Sequence, residues 1–275
     1  MTIGSTPNDQ PSTPATPASQ AAEATQPNQA AEPTEVTTPA PDFPFYNDQP
    51  TAVSGWRWLA VMGGVVAGAA ADILIPVPGP TWLGVLARAI VFAGIPLTVY
   101  ALAVPNHWKS IFRRVGLRDV GLMVGIAVLN VVTTFGVGLL VSSAMHLSAN
   151  PMGGALRSVS VGERLLTFAA MVPQLFGEEV FTILPLLAIL WLAVNKLHLP
   201  RWAGVTIAWI ASAVIFALLH LPTYNWNLLQ CLVIIGTARL ILSLAYLLTK
   251  NIWVSTGAHV LNDWTLFGLG LLGTS

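Results

Sequence analysis

From Trp56 onward, the chain is a series of apolar runs, each close to the length that crosses the hydrocarbon of a bilayer as a helix. Short polar or proline-containing breaks separate the runs. We count about seven, at residues 56–75, 82–104, 120–145, 164–194, 202–221, 228–249 and 252–272. The predicted fold class is therefore all-α, a polytopic transmembrane helical bundle. The fourth run is long for one span, so its first part, 164–173, could instead lie in the membrane interface or form a separate segment.

The composition divides the chain into two parts. Overall it is 54% hydrophobic and 9% charged, as expected of an integral membrane protein whose partner is the lipid bilayer. Residues 1–52 differ, because they are rich in Pro, Thr, Ala, Gln and Ser and contain six acidic residues but no Lys or Arg. Such a segment cannot bury enough apolar surface to fold. We predict a disordered acidic tail at 1–52 and a membrane-embedded helical domain at 53–275.

The basic residues predict the orientation. The connection after the second run contains a cluster of cations, Lys109, Arg113, Arg114 and Arg118. The positive-inside rule places this connection, and with it the N-terminal tail, in the cytoplasm. Topology and anionic lipid headgroups account for the cluster, and the chain carries no nucleic-acid-binding signature. We predict an integral protein of the cell membrane, namely the plasma membrane of a prokaryote.

Two adjacent carboxylates, Glu178 and Glu179, stand inside the apolar segment 174–190. A carboxylate at the centre of a bilayer costs about 2.5 to 3.5 kcal/mol even on lenient insertion scales. The pair must therefore be buried in protein or face trapped water. Because neighbouring residues on a helix point about 100° apart, both can serve one cavity only from its edges. An acid at this depth indicates a functional site.

Two further helices carry polar groups at comparable depth. His220 follows Phe216 by one turn, and the cluster of His259, Asn262 and Asp263 projects from one helix face. Carboxylates and imidazoles are the groups that activate water, either as a general base or as ligands of a divalent metal. The same groups also suit a transporter that binds ions or relays protons.

These three clusters, in this order, resemble the CPBP family of intramembrane proteases, which includes CAAX prenyl proteases and bacteriocin-processing proteins. The matching motifs are Glu178-Glu179, Phe216-x-x-x-His220 and His259-x-x-x-Asp263, and the similarity covers about residues 110–270. The resemblance implies a membrane-embedded helical protease domain that hydrolyses peptide bonds. It implies Glu178 as the water-activating base and Glu179 as its paired acid. By position, His220 would contact the water or a metal, and His259 with Asp263 would stabilise the oxyanion or bind the metal.

The chain departs from the family's motifs at two positions. The first motif usually ends in Arg, where this chain has Ile183, and Arg239 is the mid-span cation that we expect to substitute as counter-ion from another helix. The third motif commonly has Asn where this chain has Asp263. An ionised Asp cannot donate a hydrogen bond to an oxyanion, whereas the neighbouring Asn262 can.

A metal is a separate expectation. Zn²⁺ is a candidate cofactor, with Glu178, His220, His259 and Asp263 as its candidate ligands, although the chain lacks a His-Glu-x-x-His pair.

The sequence thus predicts an intramembrane endopeptidase, metal-assisted or not, that acts on a membrane-associated protein or peptide. A transporter driven by ions or protons, or a non-catalytic relative that binds a peptide, are the alternatives. The missing Arg at position 183 favours the non-catalytic relative. Oligomeric state is not assigned by the sequence.

Overall fold

The computed structural model describes residues 53–273, which fold as helices without any β-strand. The predicted tail at 1–52 lies outside the described residues. Nine α-helices follow one another along the described chain: α1 Gly55–Leu74, α2 Thr81–Ala103, α3 Leu117–Ser142, α4 Pro151–Ser158, α5 Val161–Trp191, α6 Arg201–Leu219, α7 Leu228–Gln230, α8 Gly236–Thr249 and α9 Ile252–Leu272. The all-helical prediction is confirmed for this part of the chain.

Six helical segments within the described residues are long and apolar enough to cross a membrane, one fewer than the count from sequence. The seventh run corresponds to α9, whose bounds at Ile252–Leu272 agree with the prediction. It falls short of membrane-spanning hydropathy because its middle carries His259, Asn262 and Asp263, the polar cluster that also made it a candidate for function.

The fourth predicted run is one continuous helix, α5, and not two segments. The side chain of Ser160 accepts a hydrogen bond from the backbone N–H of Glu163 and caps its first turn. The helix then passes through Pro173 and Pro185. It continues beyond Trp191 as a π-helical turn, Leu192–Lys196. The carboxylate pair therefore lies in the middle of an unbroken helix.

Helix α5 is the centre of the bundle. Within its apolar window 78% of the residues are buried inside the protein, against 17% for α3, so α5 faces protein on nearly all sides. It packs against α1, α2, α6 and α9. Small residues permit this close approach. A methyl group on Gly177 of α5 would stand 2.6 Å from the ring of Phe92 in α2. Helices α1 and α2 pack equally closely, since a methyl group on Gly68 of α1 would stand 2.8 Å from the Phe92 carbonyl oxygen.

The segment from α7 to α8 changes its helical phase before it reaches the site. Between the two helices, Cys231–Ile235 form a π-helical turn in which hydrogen bonds span five residues instead of four. The side chains beyond this turn therefore do not continue the 3.6-residue phase of those before it. Arg239 lies in the first turn of α8, directly after this change.

Candidate active site

The two glutamates of α5 face different surroundings. The side chain of Glu179 is completely buried, whereas that of Glu178 is 16% exposed and lines an internal cavity. This difference follows from the angle of about 100° between neighbouring helical side chains. The hydroxyl of Thr182, one turn later, donates to the backbone carbonyl oxygen of Glu178 and not to its carboxylate. One acid is therefore available to a ligand while the other is part of the protein interior.

Glu179 is held by a cation and an imidazole from two other helices. Arg239 of α8 donates from Nη2 to Glu179 Oε1 at 2.7 Å, and both side chains are completely buried. The same oxygen is 2.8 Å from Nδ1 of His259 in α9. The predicted substitution of Arg239 for the missing motif arginine at Ile183 thus has a physical basis, because a guanidinium from another helix reaches the second glutamate.

The hydrogen bond to Glu179 decides how His259 presents its other nitrogen. Because Nδ1 donates to Glu179, the remaining ring nitrogen, Nε2, is directed toward the acids of the cavity. It lies 3.7 Å from Glu178 Oε2 and 3.6 Å from Asp263 Oδ1. These distances exceed a direct hydrogen bond, and they place all three groups around one small volume. A molecule bound to Glu178 there would also be within reach of His259.

Asp263 is positioned by two asparagines. Asn130 of α3 donates from Nδ2 to Oδ1 of Asn262 at 2.9 Å, which orients the Asn262 amide. Asn262 in turn donates from Nδ2 to Oδ1 of Asp263 at 2.8 Å. The amide of Asn262, considered from sequence as a possible oxyanion donor, is therefore engaged in orienting the neighbouring carboxylate. Both asparagines are buried.

His220 ends α6 with one nitrogen bound to the backbone and the other free for the cavity. Its Nδ1 is 2.9 Å from the carbonyl oxygen of Phe216, which can only accept, so Nδ1 carries the proton. In a neutral ring Nε2 is then an acceptor. The ring of Phe216 lies between the two histidines, 4.5 Å from His220 and 6.4 Å from His259 between centroids. The guanidinium of Arg239 stacks over the same Phe216 ring at 4.9 Å.

These groups share one cavity of about 450 Å³. The residues predicted from sequence that line it are Glu178, His220, Arg239, His259, Asn262 and Asp263. Counting residues along the spans puts His220 and His259 at different membrane depths, yet both border this cavity. Asp72, in the last turn of α1, also lines it, together with Arg88 of α2. The structure therefore brings the three sequence clusters together.

The arrangement of these side chains does not form a ready metal site. Within residues 53–273, no three His, Cys, Asp or Glu side chains converge in a way that could hold a metal ion. Two of the four candidate zinc ligands, His259 and His220, use Nδ1 on Glu179 and on the Phe216 carbonyl and have Nε2 left for the cavity. Metal-binding histidines commonly hold their rings in this way, so these hydrogen bonds do not argue against a metal. Zn²⁺ therefore stays a prediction from the sequence.

Comparison with known families agrees with this site. A family model described as "Type II CAAX prenyl endopeptidase Rce1-like" matches residues 160–265, a segment that contains all three clusters. Residues 160–265 are similar to that family. The predicted relationship to the CPBP intramembrane proteases is thereby confirmed, over a shorter stretch than the 110–270 expected from the motifs. No curated protein and no solved structure gives a significant match.

Two polar residues at the edge of this site are absent from the sequence prediction. Asn130 stands in the apolar run of α3, and sorting only acids and histidines by depth overlooked it, although an amide in that position is equally conspicuous. Tyr224 follows α6 in a loop and lines the cavity. A loop tyrosine carries no periodic signal, so only the folded structure reveals its position.

Proposed function

We propose that this chain is an intramembrane endopeptidase that hydrolyses a peptide bond in a membrane-associated protein or peptide, with water activated by Glu178 and histidine. The observation that supports it most is the position of Glu178. Its carboxylate borders a cavity inside the bundle, 3.7 Å from His259, and is bound neither to Arg239 nor to an imidazole at hydrogen-bond distance. A carboxylate in this situation can take a proton from water.

In the proposed reaction, Glu178 accepts the proton of a water molecule as its oxygen attacks the peptide carbonyl. His220 supplies a second acceptor, Nε2, that orients this water. His259 is held in place by Glu179 and presents Nε2 toward the reacting atoms. When the C–N bond breaks, Glu178 returns the proton to the leaving amine. Each step uses residues of this chain, and no step passes through a metal.

The buried pair of Glu179 and Arg239 has a separate role in this proposal. Glu179 keeps His259 in one orientation, and Arg239 compensates the negative charge that Glu179 would otherwise carry alone in the interior. The absence of an arginine at Ile183 was the reason to consider a non-catalytic relative. Since Arg239 supplies a guanidinium to Glu179 from another helix, that reason no longer favours the non-catalytic relative.

The experiment is peptide cleavage by the purified protein in liposomes. The probes are fluorogenic membrane peptides, with a prenylated CAAX peptide first because of the family description and a leader peptide second. We expect Glu178→Gln to lower kcat by about 10² to 10⁴-fold. His220→Ala and His259→Ala should also abolish cleavage. Glu163→Gln is the matched control, because this partly exposed acid in the first turn of the same helix does not line the cavity.

The outcomes separate the proposal from its rivals. Loss of cleavage in the three site variants with normal activity of Glu163→Gln supports the protease. Wild-type protein that cleaves no probe but drives ion or proton uptake into the liposomes would instead support the transporter. Binding of the peptides without either activity would support the peptide-binding relative.

A further inference from the structure

Peptide hydrolysis in this cavity calls for a hydrogen-bond donor to the oxyanion in addition to the imidazole of His259. A peptide carbonyl becomes negatively charged when water adds to it, and enzymes stabilise this oxyanion with donors positioned in advance. Here Glu178 and Asp263 both border the cavity, and an ionised carboxylate can only accept. The amide nitrogen of Asn262 uses one of its two N–H groups on Asp263, so Asn262 supplies at most one further donor. A neutral donor from another element would meet the need.

Tyr224 is placed to be that donor. It lines the same cavity as Glu178, His220 and His259. The backbone N–H of Tyr224 donates to the carbonyl oxygens of His220 and Leu221, so the turn fixes its position relative to the first catalytic histidine. The two rings are stacked, with centroids 6.4 Å apart and planes inclined by 25°. The phenol is 9% exposed and therefore largely shielded from bulk water.

The hydrogen bonding of Asn150 determines which way the phenol O–H can act. Asn150 Oδ1 accepts from the backbone N–H of Met152 and caps α4, so the other end of the amide, Nδ2, is the group that faces Tyr224. Nδ2 donates to the phenol oxygen at 3.2 Å. The oxygen of Tyr224 is thus an acceptor in this bond, and its own proton remains available to a different acceptor.

We propose that Tyr224 is a further catalytic residue, whose phenol O–H donates a hydrogen bond to the carbonyl oxygen of the bound peptide as that oxygen becomes negative. The inference rests on the proposed peptide hydrolysis. During attack, the water oxygen bonds to the carbonyl carbon, the carbonyl π pair moves to the oxygen, and the water proton goes to Glu178. Tyr224 keeps its proton throughout and stabilises the oxyanion through the hydrogen bond.

The ionisation of the phenol agrees with this role. Burial raises the pKa of Tyr224 to about 12, with the bond from Asn150 opposing the change. The loop that holds Tyr224 lies between the spans that end at Leu219 and begin at Leu228. The hydroxyl is the neutral donor form at every pH below this pKa, so activity should show no loss from deprotonation of Tyr224 up to about pH 11.

The test is Tyr224→Phe, which removes only the hydroxyl, with Trp226→Phe as the control because that side chain is in the same loop and is 71% exposed. Loss of one oxyanion donor lowers kcat by about 10²- to 10³-fold in known cases. We expect a fall of about that size in kcat with KM within about twofold of wild type. A phosphinate peptide, which mimics the tetrahedral intermediate, should bind Tyr224→Phe more weakly by a similar factor.

Two results would overturn the inference. One is a kcat of Tyr224→Phe within about threefold of wild type. The other is a lower kcat with unchanged phosphinate affinity and a lower melting temperature, which would indicate a structural role of the bond to Asn150. If the wild-type protein cleaves and Tyr224→Phe cleaves equally well, this inference alone fails. If the wild-type protein cleaves none of the peptides, the proposed function fails and the role of Tyr224 fails with it.

Discussion

Replacing Arg239 with Met tests the electrostatic centre of the site. Arg239 and Glu179 are both completely buried and joined at 2.7 Å. Removal of the guanidinium leaves a buried carboxylate whose one remaining partner within residues 53–273 is His259. Breaking a buried ion pair from one side costs about 3 to 5 kcal/mol. At about 2 to 4 °C per kcal/mol for a domain of this size, the melting temperature should fall by about 6 to 20 °C.

The same substitution should abolish activity through His259. An unpaired Glu179 takes up a proton or pulls the imidazole toward itself, and either change alters the orientation and protonation of His259. Loss of the carboxylate that orients a catalytic histidine costs about 10⁴ in kcat in serine proteases. We expect a loss of at least about 10²-fold for Arg239→Met, measured in the liposome cleavage assay at a temperature where circular dichroism shows that the variant is folded.

A double variant separates stability from activity. In Glu179→Gln/Arg239→Met no charge is left uncompensated, so we expect at least half of the lost melting temperature to return. Cleavage should stay absent, because His259 has lost its anionic acceptor. Arg157→Met is the control, since Arg157 is exposed and its contact is a 3.4 Å hydrogen bond to the Gly270 carbonyl. Arg239→Met with wild-type melting temperature and turnover would refute the reasoning.

Three further predictions concern packing, metal and topology. Gly177→Ala places a methyl group 2.6 Å from the buried Phe92 ring and should cost about 1 to 3 kcal/mol in thermal unfolding, whereas Gly125→Ala, with open space around it, should be neutral or slightly stabilising. Strong chelators should leave kcat unchanged, because the proposed water activation uses carboxylate and imidazole; inactivation reversed by Zn²⁺ would contradict this. A cysteine at Arg114 should react with an impermeant maleimide from the cytoplasmic side, and one at Trp226 from the opposite side.

The packing and topology predictions each have a result that would count against them. Equal melting temperatures for Gly177→Ala and Gly125→Ala would mean that α2 and α5 separate without cost at Phe92. Labelling of positions 114 and 226 from the same side would mean that α3, α5 and α6 do not make three crossings between them. The predicted topology would then be wrong.

The sequence alone determined the class of the fold and the set of residues at the site. Hydropathy predicts where helices cross the membrane, because the chain must satisfy its backbone hydrogen bonds without water. The bounds of α1, α2, α3, α5, α6 and α9 accordingly lie within a few residues of the predicted runs. The sixth run covers α7, the π-helical turn and α8, and the short helix α4 was not predicted. The carboxylates of α5 and the polar face of α9 stand out by the same criterion, because a charged group at that depth costs free energy and indicates a functional site.

The tertiary structure decided which of these groups touch. Arg239 is 60 residues from Glu179 in the sequence. The π-helical turn at Cys231–Ile235 interrupts the 3.6-residue periodicity, so the direction of the Arg239 side chain cannot be calculated from the residues before the turn. The orientation of the Asn262 amide depends on a hydrogen bond from Asn130 of α3, which is 132 residues away in the sequence. The position of the Tyr224 hydroxyl depends on the loop after α6 and on Asn150, the residue that caps α4. Periodicity acts within one helix, whereas these contacts arise from packing between helices, which no local pattern encodes.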